Sequence, residues 1–172
     1  MITIQKNENT NILQVDGFSQ SAYPPQGGYY QYLIPEKDPK TALVLGVGAG
    51  TVCRMLLEKF PDIKITGVDN NPEVIRIARE YLKLDEVNMD LIIANAFEFV
   101  EKTTEKFGLI IVDLFNGYWF PLRVLSPPFV EKCKSLLTEG GSLYINTPNL
   151  DLAGSLQFMN KRGNSGNIVY YE

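Results

Sequence analysis

Residues 41–71 constrain the fold of this chain more than any other part of the sequence. They begin with the apolar run ALVL at 42–45, which lacks the polar alternation of a solvent-facing strand and breaks at the glycine-rich segment 46–50. Apolar residues then recur at helical spacing until Pro61, and a second apolar segment follows at 63–68. A buried strand, a glycine turn, a helix and a second strand together predict a right-handed βαβ unit.

The glycine turn of this unit predicts a nucleoside site. Gly46, Gly48 and Gly50 form the pattern G-x-G-x-G, and Asp69 stands at the end of the next strand, where a carboxylate can hold ribose hydroxyls. Glycines let a ligand approach the backbone closely, and the helix amino terminus adds a partial positive field. The alternative is a tight turn with an Asp at a strand end and no ligand.

Strands and helices alternate through most of the chain. We predict an α/β fold, a doubly wound, Rossmann-like, mostly parallel sheet with helices on both faces, preceded by a small N-terminal β-hairpin. The expected units are an arm at 1–35 and a transferase-type domain at 36–172. Further strands are expected at 89–94, 107–112, 142–146 and 167–171, and helices at 71–84, 95–103, 151–160 and from Ser126 to a double glycine, Gly140-Gly141.

Ligands of doubly wound sheets lie outside the carboxyl ends of the strands. The residues expected at that edge are 46–50, Asp69, Asn95, 113–116 and 146–149. Because these segments should share one edge of the sheet, they form the shortlist for a binding site.

Composition excludes several classes of function. The net charge of −4 and the scattered Lys and Arg give no nucleic-acid footprint. The chain contains no His, which removes Ser-His-Asp and Cys-His catalysis and the usual zinc sites, so no metal is expected. No apolar run has the length of a membrane span and no signal-type amino terminus is evident, so we expect a cytoplasmic protein that does not bind a membrane.

Cys53 and Cys133 fall at apolar helix positions and are expected to be buried thiols.

The sequence between about residues 11 and 149 resembles the spermidine synthase branch of the S-adenosylmethionine-dependent transferase fold, also called the class I methyltransferase superfamily. The resemblance rests on LVLGVGAGT at 43–51, GVDNNPEVIRIAREYL at 67–82, ANAFEFV at 94–100, IIVDLFNG at 110–117 and LLTEGGSLYIN at 136–146. It implies S-adenosylmethionine or its decarboxylated form as the donor and a small molecule such as an amine as the acceptor.

The resemblance also implies roles for residues of the amino-terminal arm. Residues 16–20 are similar to the D-G-x-x-Q turn of that branch, and Tyr30-Gln31 resembles its Tyr-Gln pair. On this basis Gln20 and Gln31 are expected to contact the nucleoside, and Tyr30 the acceptor. From the residues alone, Tyr30 is equally an aromatic residue that packs against the sheet.

Three positions depart from the pattern of that branch. An acid of its glycine loop is Ala49 here, the acid facing adenine is Asn95, and the second acid of its D-x-x-D pair is Asn116. Asn95 can still hydrogen-bond adenine, and Asn116 remains a candidate substrate contact. The loss of two carboxylates at the cationic end of the site slightly favours methyl transfer over aminopropyl transfer.

Asp113 is the candidate catalytic base, because it ends a strand beside the glycine turn and an amine acceptor must lose a proton. The alternative is a structural role, in which Asp113 caps a helix or forms a salt bridge. Four aromatic residues follow it, Phe115, Tyr118, Trp119 and Phe120. They form either a lid against a cationic substrate, with Trp119 as a substrate contact, or an apolar floor below a loop.

Three hypotheses follow for the function. The first is a spermidine-synthase-like transferase that moves a methyl or aminopropyl group to a small acceptor. The second is a non-catalytic nucleoside-binding or interaction module of the same fold, and the third is an NAD-dependent oxidoreductase, disfavoured because a third glycine at the dinucleotide spacing is missing. The hairpin edge and the Tyr-rich arm make a homodimer possible.

Overall fold

The computed structural model describes residues 1–25, 28–148, 160–162 and 168–171. At the amino terminus, β1 (Ile2–Asn7), β2 (Thr10–Val15) and β3 (Phe18–Tyr23) form an antiparallel sheet in the order β1-β2-β3. A two-stranded hairpin was predicted, so the prediction missed the third strand of this sheet. The turn at Asp16 and Gly17 was predicted from their sequence, and both adopt positive φ, 51° and 82°. The strand after it was not, because FSQSAY lacks an apolar pattern.

The second sheet contains seven strands within the described residues, in the order β6-β5-β4-β7-β8-β10-β9. Their bounds are β4 Thr41–Leu45, β5 Lys64–Asp69, β6 Asp90–Ile93, β7 Phe107–Val112, β8 Leu137–Asn146, β9 Asn160–Arg162 and β10 Ile168–Tyr171. Strands β4 to β8 pair in parallel, whereas β10 is antiparallel to both β8 and β9. The predicted doubly wound α/β fold is confirmed.

Helices cover both faces of this sheet. Their bounds are α1 Thr51–Lys59, α2 Pro72–Leu82, α3 Ala96–Lys102 and α4 Pro127–Ser135. Apolar residues of α1 and α2 belong to one buried cluster, and those of α3 and α4 belong to another. Cys53 and Cys133 are buried free thiols, one in each cluster. The side chain of Asn71 caps α2 by accepting from the backbone N–H groups of Glu73 and Val74.

The double glycine at 140–141 was predicted wrongly. Helix α4 already ends at Ser135, and both glycines lie inside β8, where the pairing with β7 shifts from Phe107–Leu137 to Leu109–Ser142. Gly140 adopts a φ of 70° at this bulge. A glycine after an apolar helical pattern is typical of a helix end, but the same freedom of φ also serves a strand irregularity.

The carboxyl-terminal predictions are only partly covered by the structure. The final strand predicted at 167–171 is observed as Ile168–Tyr171. The helix predicted at 151–160 lies outside the described residues except for Asn160, which begins β9. No described helix combines the length and the apolar character that crossing a membrane requires.

The segment 24–39 was predicted as a linker or a short helix. Residues Tyr29–Leu33 form one 3₁₀ helix, flanked by bends and irregular chain in the described part of the segment. Leu33 is fully buried and anchors this turn in the core below α1. The turn thereby fixes the neighbouring tyrosines against the large sheet, while the boundary between an arm and a domain at residue 35 stays a prediction.

Candidate active site

A cavity of about 790 Å³ opens at the carboxyl ends of the parallel strands, on the side covered by the amino-terminal sheet. This volume is in the range of small-molecule sites. The predicted site residues that line it are Gln20, Tyr30, Gly46, Gly48, Asp69, Asn95, Asp113, Asn116 and Trp119. Gly50 and Gln31 are the two predicted site residues that do not.

The glycine turn after β4 requires glycine at each position for a different reason. Gly46 has a φ of 91°, and a Cβ atom there would lie 2.2 Å from the backbone oxygen of Asp113. At Gly48, with a φ of 54°, a Cβ atom would lie 2.9 Å from Ser21 Oγ. Gly50 begins α1, and a Cβ atom there would lie 2.8 Å from Leu84 Cδ1, away from the cavity. Gly50 is therefore a packing position and not a ligand contact.

Asp69 at the end of β5 braces the glycine turn. Its Oδ2 accepts a hydrogen bond from the backbone N–H of Gly48 at 2.9 Å, and its Oδ1 accepts from that of Asn71 at 2.9 Å. Burial raises the pKa of Asp69, and these backbone hydrogen bonds oppose the increase. A carboxylate has about four acceptor positions, so ribose hydroxyls can still be bound on the cavity side.

Asp113 lies at the end of β7 and is held by two donors. Tyr29 Oη–H donates to Asp113 Oδ2 at 3.0 Å, and Asn146 Nδ2 donates to Asp113 Oδ1 at 2.8 Å. Burial raises the pKa of Asp113 from 3.8 to about 6, although both hydrogen bonds act to lower it. A carboxyl group with this pKa can exchange a proton near neutral pH, which is what a general base requires. In the described structure its hydrogen-bond partners are Tyr29 and Asn146, and a role as general base stays a prediction.

Tyr29 and Asn146 were not predicted as site residues. Asn146 was on the strand-end shortlist, but nothing in the sequence singled it out from its neighbours. Tyr29 precedes the tyrosine that was selected, and the two rings lie 4.1 Å apart. The Tyr30 hydroxyl donates instead to the backbone oxygen of Gln20 at 2.9 Å, and burial raises the pKa of Tyr30 to about 12. Both tyrosines line the cavity, but it is Tyr29 that contacts Asp113.

Gln31 is the clearest misplacement. It is exposed and lines a separate, smaller cavity of about 300 Å³ together with Ile34 and Lys59. Successive residues of a 3₁₀ helix point about 120° apart, so Tyr29 and Tyr30 can both reach the main cavity while Gln31, the next residue, faces away from it. The predicted nucleoside contact of Gln31 does not agree with this geometry.

Asn95 is both a cavity residue and a helix cap. Its Oδ1 accepts from the backbone N–H groups of Phe97 at 2.9 Å and Glu98 at 3.3 Å, at the start of α3. Because the cap uses the oxygen, the group that this side chain can offer a purine is its amide NH₂.

The aromatic segment after Asp113 divides into two parts. The rings of Phe115 and Phe120 lie 5.4 Å apart and pack against the core below α3 and α4. Tyr118 and Trp119 are instead 72% and 62% exposed at the cavity mouth. The predicted alternatives therefore both apply in part: Phe115 and Phe120 pack under the loop, and Tyr118 and Trp119 lie at the cavity mouth.

We call Phe18, Tyr118 and Trp119 the aromatic rim. The rings of Phe18 and Tyr118 lie 5.5 Å apart, which connects the amino-terminal sheet to the loop after β7. Asn116 and Trp119 pair through their backbones at 2.9 and 3.0 Å, and Gln20 Nε2 donates to the oxygen of Gly117 at 3.2 Å. These contacts place Asn116 and Trp119 together at the mouth of the cavity.

Residues 36–168 match the family model described as Methyltransferase domain. The chain belongs to this family. Its relatives include polyamine aminopropyltransferases from Sulfolobus acidocaldarius, 33% identical over 76% of this chain and 48% of the relative, and from Chromobacterium violaceum, 31% identical over 67% of this chain and 45% of the relative. The chain spans about half the length of the curated relatives it matches.

A structural comparison places the chain near the same group. A spermidine synthase in complex with the transition-state analogue AdoDATO superposes with a TM-score of 0.76 and 20% identity, covering 99% of this chain and 68% of that one. At this identity the likeness shows the fold alone. Sequence and fold together make the chain a spermidine-synthase-like member of the methyltransferase-domain family. The slight preference for methyl transfer finds no support in the names of these relatives, and the oxidoreductase alternative finds none either.

The charge of the cavity is set by acids in the part of the chain that the structure describes. Asp69 and Asp113 are the ionisable carboxylates of the lining, and no Lys or Arg lines it there. Ala49 is 1% exposed, and its N–H donates to Ser21 Oγ at 3.1 Å, so this family member has a small buried residue where the resemblance implies an acid. No group of three or more potential metal ligands was found among the described residues.

Proposed function

We propose that this chain transfers an aminopropyl group from decarboxylated S-adenosylmethionine to a small amine. The observation that carries the proposal is Asp113, a carboxyl group with a pKa of about 6, held by Tyr29 and Asn146 inside the cavity beside the glycine turn. The names of the relatives support the aminopropyl group. Catalysis by the domain from residue 36 onward, with the arm covering the cavity, is part of the proposal.

The donor would occupy the half of the cavity next to β4 and β5. Gly46 and Gly48 allow close approach of the nucleoside, Asp69 offers acceptors to the ribose hydroxyls, and Asn95 offers a donor to the adenine. A cationic sulfonium is favoured because the described lining carries acids and no basic residue.

The transfer step requires little more than alignment and removal of one proton. The lone pair of a neutral amine attacks the methylene carbon bound to the sulfonium, and the carbon–sulfur bond breaks with its electrons going to sulfur. The products are an aminopropylated amine and methylthioadenosine. Asp113 accepts the proton that the nitrogen loses, and solvent then takes it.

Methyl transfer from S-adenosylmethionine is a second candidate, and the neutral residues Ala49 and Asn116 favour it. An aminopropyl donor carries an ammonium group, and fewer carboxylates remain to attract it. The two reactions give different by-products, methylthioadenosine and S-adenosylhomocysteine, so a single assay separates them. A cytoplasmic location and a homodimer remain predictions.

A titration and a turnover assay test the proposal together. We expect calorimetry to detect binding of decarboxylated S-adenosylmethionine and of methylthioadenosine, and no binding of NAD. Incubation with the decarboxylated donor and a panel of amines should release methylthioadenosine. Binding of NAD alone would contradict the proposal, and no binding of any nucleoside would favour the non-catalytic module. Release of S-adenosylhomocysteine only would replace aminopropyl transfer with methyl transfer.

The pH dependence of the reaction should report Asp113. The rate requires the ionised carboxylate, so kcat/KM should fall about tenfold per pH unit below about pH 6. The hydrogen bond from Tyr29 lowers the pKa of Asp113, so Tyr29→Phe should move this acidic limb to higher pH. Tyr81→Phe is the matched control, because Tyr81 lies on the outer part of α2 and does not line the cavity. An unchanged limb in Tyr29→Phe would show that another group controls the profile.

A further inference from the structure

We propose that the acceptor is a monoamine with an apolar tail, whose nitrogen lies at Asp113 and whose tail lies against the aromatic rim. The inference rests on the proposed function and adds to it the chemical class of the acceptor. It depends on three observations: the charge at the acceptor end of the cavity, the contacts that lead from Asp113 to the mouth, and the exposure of the rim.

Among the described residues that line the cavity, the acceptor end offers one carboxylate. Asp16, whose carboxylate lies near Gly117 at the mouth, is not part of the lining and is already paired with the amino group of Met1. Asp69 ends β5 and Asp113 ends β7, with β4 between them, so the two are separated by about two strand spacings, roughly 10 Å. Asp69 is bonded to the backbone of Gly48 in the donor half. Asn116, which lies at the mouth, is neutral. One ammonium group of an acceptor therefore finds a partner at Asp113, and a second would lose hydration without gaining an unpaired opposite charge in the described lining.

A continuous set of contacts connects Asp113 with the rim. The Tyr29 hydroxyl binds Asp113, the rings of Tyr29 and Tyr30 are in contact, and the Tyr30 hydroxyl binds the backbone oxygen of Gln20. The side chain of Gln20 then binds the backbone oxygen of Gly117, next to Tyr118. An acceptor whose nitrogen lies at Asp113 extends along this wall toward the rim.

The rim is apolar and uncovered. Phe18, Tyr118 and Trp119 are 49%, 72% and 62% exposed, although each lines the cavity. Exposed apolar side chains grouped at a cavity mouth are typical of a ligand-binding surface. An apolar tail removes these rings from water. A second ammonium would be attracted only weakly by rings that remain this exposed, because water competes for the cation.

An acceptor panel tests the class. With the full chain and decarboxylated S-adenosylmethionine, we would measure methylthioadenosine release for hexylamine, phenethylamine, putrescine and methylamine. We expect kcat/KM for hexylamine or phenethylamine to exceed that for both putrescine and methylamine by about tenfold or more, because a buried tail of several methylenes contributes at least that factor.

Substitutions at two positions, Asn116 and Trp119, test which groups select the acceptor. Asn116→Asp adds a carboxylate at the mouth and should raise the ratio of putrescine to hexylamine activity about tenfold, whereas Asn116→Ala should leave that ratio nearly unchanged. Trp119→Ala should lower the ratio of hexylamine to methylamine activity about fivefold, since part of the apolar surface is lost. Both residues are exposed, so all three variants should fold.

Different results would overturn the acceptor class, the position of the tail and the proposed function. Putrescine activity equal to or above hexylamine activity in the unchanged chain would overturn the monoamine inference and leave aminopropyl transfer intact. A ratio of hexylamine to methylamine that does not change in Trp119→Ala would overturn the assignment of the tail to the rim. No methylthioadenosine with any amine would overturn the proposed function itself, and this inference with it.

Discussion

Asp113→Asn should reduce kcat for aminopropyl transfer by about 1000-fold, the size of effect expected when a general base is lost. The amide cannot accept the proton of the amine, while its oxygen can still accept the hydrogen bond from Asn146 that positions the side chain. Binding of methylthioadenosine should change by less than about threefold, because the proposed donor seat lies at the glycine turn and Asp69. Methylthioadenosine release and calorimetry on the same preparation measure the two quantities.

The matched control for this variant is Asp90→Asn, which removes an exposed carboxylate at the start of β6, at the opposite end of the sheet. It should keep full activity. If Asp113→Asn retained more than about a tenth of the unchanged rate, proton transfer would have to use another group or bulk solvent.

The same variant has a stability signature with a defined sign. The folded-state pKa of Asp113, about 6, lies above the ordinary value of 3.8, so the folded protein binds this proton more tightly than the unfolded chain. This contribution to stability is present below pH 3.8 and is lost as the pH rises through about 6. Asp113→Asn should therefore gain unfolding free energy relative to the unchanged chain at pH 8, and the difference should shrink toward pH 4. Urea titrations at both pH values measure it.

Gly46→Ala should cost about 3 kcal/mol of unfolding free energy, at the upper end of ordinary point substitutions. Its Cβ atom would lie 2.2 Å from the backbone oxygen of Asp113, and its φ of 91° is strained for alanine. The clash is with backbone, so a rotation of a side chain cannot relieve it. Relief requires β4 and β7 to separate at the site, and the affinity for methylthioadenosine should fall as well.

Gly17→Ala separates the clash from the strain of the backbone conformation. Gly17 also has a positive φ, 82°, but a Cβ atom there would meet nothing within 4 Å. Its cost should be about 1 kcal/mol, the cost of the left-handed conformation alone. Urea unfolding measures both costs. Equal losses of unfolding free energy in the two variants would show that the clash with the backbone of Asp113 adds nothing to the cost of Gly46→Ala.

The central part of the fold could be predicted because its signals are local. Segment 41–71 carries the glycine turn and two apolar runs, and Asn71 and Asn95 are standard helix caps. The third amino-terminal strand was missed because its burial depends on contacts with distant residues. Ser21 and Ala22, for example, are buried by the glycine turn and α1 and not by an apolar pattern of their own.

The candidate site was predictable where it follows the strand ends and less so where it depends on the arm. Asp69, Asp113 and the glycine turn follow strands whose order fixes one common edge. Which tyrosine contacts Asp113 depends on where the 3₁₀ turn begins. The predicted contacts of Tyr30 and Gln31 require a turn shifted by one residue from the observed one, in which Tyr29 contacts Asp113 and Gln31 faces outward. No periodic signal in a segment rich in Pro and Gly specifies that phase.

The amino-terminal sheet is joined by hydrogen bonds to the glycine turn and to the first residue of α1. Ser21 Oγ accepts from the N–H of Ala49, and the Thr51 hydroxyl is bonded to both the N–H and the carbonyl group of Ala22. The same sheet contributes Gln20 and Phe18 to the cavity lining. A shift of β3 on binding of one of the proposed substrates would therefore alter the pocket of the other, and thermodynamic reciprocity would then require each ligand to change the dissociation constant of its partner by the same factor.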